Sequence, residues 1–87
     1  MIRFGIIGAG SMGREHIENI QALRSGTVTA LADPHEPSLQ AALALCHGVP
    51  GTFADHRELL ASGLCDAVVI ATPNVTHVRM MRDALEA

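Results

Sequence analysis

Apolar and amphipathic segments alternate along this chain of 87 residues. Apolar runs predict strands at residues 2–7, 27–32 and 67–71, and a weaker run predicts a further strand at 51–53. Between them, apolar residues recur every three or four positions, which predicts helices at about 11–24, 37–47 and 56–61, and another from Val75 onward. The run at 67–71 contains no polar residue, which is typical of a strand buried on both faces of a parallel sheet.

Local patterns add detail to the predicted helices. In the first helix, Arg14 and Gln21 are predicted to lie on the outer side. The inward stripe comprises Gly13, His16, Ile17, Ile20 and Leu23. Pro37 suits the first turn of the second helix, and Gly48 is a plausible C-terminal cap for it. Asp55 and Glu58 resemble a capping box that opens the third helix.

A glycine-rich turn joins the first predicted strand to the first helix. The turn has the pattern G-x-G-x-x-G, formed by Gly8, Gly10 and Gly13, and Asp33 follows the second strand 20 positions after the last glycine. Gly8 permits a tight turn, Gly10 lets a pyrophosphate approach the backbone, and Gly13 lets the helix pack closely on the sheet. The helix N-terminus then offers free N–H groups to the phosphates.

The spacing of the strand, turn, helix and acid predicts dinucleotide binding, with Asp33 accepting hydrogen bonds from a ribose diol. Alternatives stay open for individual residues. The glycines serve packing alone in a domain that binds nothing, and Asp33 is then an ordinary loop acid. Arg14 either reaches a phosphate or lies on a solvated face, and His16 is either a buried neutral histidine or a cofactor contact.

The alternation of strands and helices with short connections predicts an α/β fold with a parallel sheet and right-handed crossovers. A complete doubly wound, or Rossmann, sheet has about six strands in the order 3-2-1-4-5-6. The four strands here correspond to the order 3-2-1-4 with helices on both faces. We therefore expect residues 1–87 to form an incomplete dinucleotide-binding domain, and we expect the substrate domain to be absent from them.

Composition narrows the classes of partner. Aromatic residues are limited to Phe4 and Phe53, and the net charge is −3 with scattered arginines, which argues against nucleic-acid binding. The chain has neither a signal-peptide pattern nor an apolar run near 18 residues, so we predict no membrane association and a cytoplasmic location. Cys46 and Cys65 lack metal-ligand spacing and are expected to be reduced, with no metal bound.

Two segments together resemble one family. They are G-I-I-G-A-G-S-M-G-R-E-H at residues 5–16 and D-A-V-V-I-A-T-P-N-V-T-H at 66–77. The chain resembles the glucose-fructose oxidoreductase / inositol dehydrogenase / MocA family over its whole length. The resemblance implies a nicotinamide-dependent oxidoreductase acting on a sugar, a cyclitol or a related polyol.

The resemblance also implies which residues contact the cofactor. The cofactor-binding residues are expected to be Gly8, Gly10, Ser11, Met12, Gly13, Asp33, Ala71, Thr72, Pro73, Asn74 and, less directly, His77. In the family a catalytic Lys lies in an E-K-P motif beyond this last helix. The 87 residues contain no Lys, so no catalytic residue is expected among them. A non-catalytic nucleotide-binding or redox-sensing module, or an inactive gene fragment, is the alternative.

Two further expectations come from physical arguments. A free carboxylate at Asp33 repels the 2′-phosphate of NADP, and no arginine follows it directly, so NAD is favoured as the cofactor over NADP. The strand at 67–71 has an apolar edge that a fifth strand would normally cover. That open edge predicts self-association with another copy of the chain, or marginal stability.

Overall fold

A computed structural model describes residues 2–23 and 26–71 of the chain. The four strands are β1 (Ile2–Ile7), β2 (Gly26–Ala32), β3 (Gly51–Phe53) and β4 (Ala67–Ile70). The three helices are α1 (Ser11–Leu23), α2 (Glu36–Leu45) and α3 (His56–Ala61). These bounds agree with the sequence predictions to within one or two residues. The last predicted helix, from Val75 onward, lies outside the described residues.

The sheet has the order β3-β2-β1-β4, and every neighbouring pair of strands is parallel. Apolar side chains from α1 and α2 pack on one face of the sheet, and Leu59 of α3 packs on the other. The predicted α/β class, strand order and helices on both faces are therefore confirmed. Because all strands are parallel, their carboxyl ends lie at the same edge of the sheet, and the connections that leave β1, β2 and β4 begin there.

A β-bulge in β2 changes which of its side chains point to each face of the sheet. The pairing with β1 shifts by one residue, because Phe4 pairs with Val28 whereas Gly5 pairs with Ala30. Val28 and Leu31 consequently pack on the same face although they are three positions apart. In a regular strand this separation would place them on opposite faces.

Helix α1 packs with a different rotation from the predicted one. Gly13, Ile17 and Ile20 are buried as expected, but Leu23 is 73% exposed. Gln21 is half-buried instead, because α1 packs against α2 as well as against the sheet. The prediction that Leu23 faces inward and Gln21 outward is therefore wrong.

The end of α2 is held by a side chain from α1. The Gln21 Nε2 group donates to the carbonyl oxygen of Leu45 at 3.1 Å, and its Oε1 accepts from the backbone N–H of His47 at 2.9 Å. The C-cap residue is Cys46 in an extended conformation. The prediction of Gly48 as the cap is therefore wrong, since Gln21 satisfies a carbonyl that a helix end leaves free.

Helix α3 begins with the predicted cap. The Asp55 side chain accepts a hydrogen bond from the backbone N–H of Arg57 at 2.8 Å. The same carboxylate also pairs with the Arg57 guanidinium, and these two interactions hold the pKa of Asp55 at about 2. Asp55 thus caps α3 through Arg57, the second helical residue, rather than through Glu58 as a capping box would.

Strand β4 is less buried than its apolar sequence predicts. Each residue from Ala67 to Ile70 is half-buried. Among the described residues β4 pairs with β1 alone, so it forms an edge of that part of the sheet. Burial on both faces is a property of central strands, and the prediction that β4 is fully buried is wrong for this reason.

An ion pair joins the amino-terminal ends of β1 and β4, at the end of the sheet opposite to the carboxyl ends of the strands. The Asp66 carboxylate accepts from Arg3 Nη2 at 2.8 Å and from the Arg3 backbone N–H at 3.0 Å. The Asp66 N–H donates in return to the carbonyl oxygen of Arg3 at 2.7 Å. Hydrogen bonding from Arg3 lowers the pKa of Asp66 to about 2, and the pair joins the starts of β1 and β4.

No helix within residues 2–23 and 26–71 is long and apolar enough to cross a membrane.

Candidate dinucleotide-binding site

Three chain segments meet where the parallel strands end. They are the glycine loop (residues 8–13) after β1, the residues from Asp33 onward after β2, and Ala71 after β4. The Ala71 N–H donates to the carbonyl oxygen of Ile7 at 2.8 Å, so the pairing of β4 with β1 extends to this edge. Ligands of open α/β sheets bind outside the carboxyl ends of the strands, which is where these segments lie.

The glycine loop is fastened to β2 at its first residue. The Gly8 N–H donates to the carbonyl oxygen of Ala32 at 2.8 Å. Gly8 has a φ of 99°, a conformation that L residues with a side chain rarely adopt. The tight turn predicted at Gly8 is therefore present.

Gly10 and Gly13 meet opposite surroundings. A Cβ atom at Gly13 would collide with the backbone carbonyl of Gly8 and would approach Ile6, so the protein itself requires this glycine. A Cβ atom at Gly10 would meet nothing within 4 Å, and the φ of Gly10 is not positive. Neither packing nor conformation within the described residues explains a glycine at position 10.

The first turn of α1 contains N–H groups that make no hydrogen bond within the helix. Its first intrahelical hydrogen bond runs from the Arg14 N–H to the carbonyl oxygen of Gly10 at 2.9 Å. The N–H groups of Ser11, Met12 and Gly13 precede that bond and have no partner within the helix. The first turn of α1 contains no acid, whereas α2 and α3 carry Glu36 and Glu58 there. The partial positive charge at this terminus is therefore not offset by an acidic side chain of its own first turn.

The side chains of Ser11 and Met12, within the glycine loop, are exposed, and Met12 is 62% exposed. An exposed Met side chain at a sheet edge offers a flexible apolar surface to a ligand. Of the other predicted contacts, Ala71 is half-buried at the same edge. Thr72, Pro73, Asn74 and His77 lie outside the described residues.

Asp33 lies at the end of β2, and both of its carboxylate oxygens accept backbone hydrogen bonds. Oδ2 accepts from the N–H of Ala9 at 2.7 Å, and Oδ1 accepts from the N–H of His35 at 2.8 Å. Its own N–H donates to the carbonyl oxygen of Phe53 at 3.0 Å. The predicted ribose ligand is thus also a structural link between the glycine loop and the segment after β2, a role that its position in the sequence did not indicate.

Arg14 is the second residue with an unforeseen environment. The residue is half-buried, and its Nε atom is buried without a hydrogen-bond partner in the part of the chain that the structure describes. The interpretation of Arg14 as a solvated surface residue is therefore wrong. Arg14 directly follows the glycine loop, and its buried Nε atom is a donor for which the described residues provide no acceptor.

The remaining titratable residues of the described part of the chain show no arrangement typical of a metal site. Among residues 2–23 and 26–71 no cluster of three or more His, Cys, Asp or Glu side chains is arranged to hold a metal. Cys46 and Cys65 are both free thiols, and burial raises the pKa of each above its usual range. His16 is half-buried on α1, which does not decide between a buried histidine and a cofactor contact.

The parallel sheet, the constrained glycine loop and the free N-terminus of α1 together define a nucleotide-binding domain of the Rossmann class. Residues 2–87 match the family described as an oxidoreductase family with an NAD-binding Rossmann fold. The chain belongs to this glucose-fructose oxidoreductase / inositol dehydrogenase / MocA family, and the predicted cofactor class, NAD, is confirmed at the level of the family.

Individual relatives show the same match. The inositol 2-dehydrogenase of Corynebacterium glutamicum strain R is 37% identical over 89 residues, which cover 99% of this chain and 26% of the relative. The myo-inositol dehydrogenase of Lactobacillus casei, solved in complex with NAD(H) and myo-inositol, has a TM-score of 0.93 at 27% identity, covering 100% of this chain and 26% of that one. The WlbA dehydrogenase of Bordetella pertussis, solved with NADH and UDP-GlcNAcA, has a TM-score of 0.86 at 31% identity, covering 98% and 24%. The chain thus spans about a quarter of the length of these relatives.

Proposed function

We propose that this chain binds NAD through the glycine loop, the N-terminus of α1, Asp33 and the segment that begins at Ala71. In this proposal residues 1–87 are the cofactor-binding part of an oxidoreductase and contain no catalytic residue. When bound, the nicotinamide supplies the hydride-transfer chemistry. The residues of this chain bind and orient the cofactor and supply the local electrostatics.

The observation that carries the proposal is the open space at Gly10. Gly13 is required by contact with Gly8, but nothing within the described residues requires a glycine at position 10. A ligand that approaches the backbone closely accounts for it, and the free N–H groups that follow indicate an anionic ligand. Arg14 follows the loop directly, and its buried Nε has no hydrogen-bond partner within the described residues.

The test is the substitution Gly10→Ala. Because the new methyl group meets no atom of residues 2–23 and 26–71, we expect the variant to fold, with a loss of stability of at most about 1 kcal/mol from the poorer helix cap. NADH affinity, measured by calorimetric titration, is expected to fall by more than about tenfold, which corresponds to about 1.4 kcal/mol.

Gly48→Ala is the matched control, since a Cβ at Gly48 also meets no atom of the described residues within 4 Å. Gly48 lies in the loop after α2, away from the strand ends where the site is proposed. The control is expected to bind NADH as the unmodified protein does. Unchanged NADH affinity in Gly10→Ala, or no NADH binding by the folded unmodified chain, would contradict the proposal.

The substrate class is proposed from the relatives. Several of them are inositol 2-dehydrogenases, and one solved relative holds myo-inositol beside NAD(H). We therefore propose a sugar, a cyclitol or a related polyol as the substrate of the enzyme to which this domain contributes. In this proposal the choice among such substrates is made by residues other than these 87. Substitutions of Gly10 and Asp33 are therefore expected to change cofactor affinity rather than substrate preference.

A cytoplasmic location is part of the same proposal. Both cysteines are free thiols, which fits a reducing compartment. Fractionation of the native host, followed by detection of the protein, tests it, and recovery outside the cytoplasmic fraction would contradict it.

We also propose that the edge of β4 pairs with a second copy of the chain. Within the described residues β4 has β1 as its one neighbour, and its four residues are apolar and half-buried. Such an edge is a template for a further strand. Sedimentation over a hundredfold range of concentration is expected to show a dimer that dissociates on dilution, whereas a monomer throughout the range would contradict the pairing.

A further inference from the structure

The Asp33 carboxylate accepts two backbone hydrogen bonds from two different loops. Oδ2 accepts from Ala9 in the glycine loop at 2.7 Å, and Oδ1 accepts from His35 at the start of α2 at 2.8 Å. A carboxylate whose sole role is to bind a ribose would not need either hydrogen bond. The carboxylate therefore contributes to the shape of the proposed site.

The bond to Ala9 completes the attachment of the glycine loop to β2. Gly8 and Ala9 donate in succession to the carbonyl oxygen of Ala32 and to Asp33 Oδ2. Ala9 is fully buried, so its N–H would be a buried donor without a partner if Asp33 were removed. The next residue, Gly10, is the one where the proposed cofactor approaches the backbone.

Asp33 is itself held in place. Its N–H donates to Phe53 in β3 at 3.0 Å, and the preceding strand pairs on both sides. A residue fixed in this way can impose a position on the loop beside it. Each carboxylate oxygen has a second lone pair, so both remain able to accept a hydrogen bond from a ribose hydroxyl.

From these contacts we propose that Asp33 is a positioning residue for the glycine loop, in addition to being a ribose ligand, and that cofactor preference and loop geometry are coupled through it. The inference rests on the proposed function. It has a specific consequence: removing the carboxylate weakens binding of NADH and NADPH alike, rather than converting the site to NADPH. The negative charge that repels a 2′-phosphate belongs to the same group that holds Ala9.

The binding test compares Asp33→Ala and Asp33→Asn with the unmodified chain. The ligands are NADH, NADPH and an NADH analogue that lacks both hydroxyls of the adenosine ribose. A residue that acts only on the diol would leave affinity for the analogue unchanged on substitution. We expect affinity for the analogue to fall by at least about tenfold in Asp33→Ala, together with that for NADH, and NADPH binding not to improve.

Glu36→Gln is the matched control for charge. Glu36 lies three residues further on, is exposed, and its carboxylate pairs with Gln40 within α2 rather than with the glycine loop. Its substitution is expected to leave affinity for the dideoxy analogue unchanged. Unchanged affinity for the analogue in Asp33→Ala, or tighter NADPH binding, would overturn the inference.

A second measurement needs no cofactor. Amide hydrogen exchange of the free protein, followed by NMR, is expected to be at least about tenfold faster at Ala9 in Asp33→Ala. In Asp33→Asn one acceptor oxygen remains for two donors, so the same acceleration is expected at either Ala9 or His35. Amides of α3 are expected to be unaffected. Unchanged exchange at Ala9 would overturn the inference, as would global unfolding of Asp33→Asn, which would assign the residue to overall stability.

The two experiments separate failure of this inference from failure of the proposed function. If the unmodified chain binds no NADH but exchange at Ala9 accelerates in the variants, the loop attachment stands and the proposed function fails. If NADH binds while exchange and analogue affinity are unchanged, the function stands and Asp33 acts on the ribose alone.

Discussion

The residues of the glycine motif differ in what requires them. Gly8 is required by its backbone conformation and Gly13 by contact with Gly8, whereas nothing in the described part of the chain requires a glycine at position 10. The motif correctly predicted the turn at Gly8 and the close packing at Gly13, and the approach of a pyrophosphate to Gly10 stays a prediction. It did not predict the hydrogen bonds that the Asp33 carboxylate accepts from Ala9, 24 residues away, and from His35, two residues away, because backbone donors leave no pattern in the side chains.

Gly13→Ala tests the packing role. The new Cβ would collide with the Gly8 carbonyl, which is backbone and cannot move aside cheaply. We expect a loss of about 1–3 kcal/mol of unfolding free energy or more, measured by urea denaturation. A midpoint equal to that of the unmodified chain would show that α1 does not approach the loop this closely.

At the level of elements, the apolar periodicity predicted each described strand and helix, and the errors fall where polar side chains act as packing groups. Gln21 and Arg14 were placed on the outside of α1 because they are polar. Both are half-buried, and Gln21 ends α2 by bonding to its last carbonyl. Periodicity counts only apolar residues, so it underestimates the buried arc of a helix that packs against a second helix.

Gln21→Ala tests the link between α1 and α2. It removes the hydrogen bonds to Leu45 and His47, and at about 1 kcal/mol for each bond we expect a loss of about 1–3 kcal/mol. Gln40→Ala is the control, because Gln40 is exposed and bonds only within α2, to Glu36. Equal urea midpoints for the two variants would contradict the assigned role of Gln21.

The Arg3–Asp66 pair predicts a pH dependence for the junction of β1 and β4. Hydrogen bonding from Arg3 lowers the pKa of Asp66 from 3.8 to about 2 in the folded chain. The stabilisation is therefore fully present above about pH 4 and is lost as the pH falls through about 2. Asp55 has a similarly lowered pKa, so only the difference between the unmodified chain and Asp66→Asn isolates this pair.

The difference in urea midpoint between the unmodified chain and Asp66→Asn is expected to be constant from pH 7 to pH 5 and to shrink between pH 4 and pH 2. A difference that stays the same down to pH 2 would mean that the charge of Asp66 does not contribute. Because the pair is exposed, the effect is expected to be small and to decrease further in high salt.

At the scale of the whole molecule, the order of strands and helices along the chain predicted the architecture of the sheet. Alternating strands and helices with short connections permit few parallel arrangements, and the order 3-2-1-4 with helices on both faces is the one observed. The burial of β4 was overestimated, because a continuous apolar run does not distinguish a central strand from a strand at an edge of the described sheet. The bulge in β2 also left no recognisable signal, since it depends on the pairing with β1.

The central claim is that NAD binds where the strands end, beside the glycine loop. An NMR titration of the folded chain with NADH tests it most directly, because each backbone amide reports on its own surroundings. We expect the largest shifts at residues 8–14 and 33–35, and no shift at Asp66 or Gly48, which lie away from that edge. Absence of shifts in a folded protein, or shifts centred on the opposite edge of the sheet, would contradict the account.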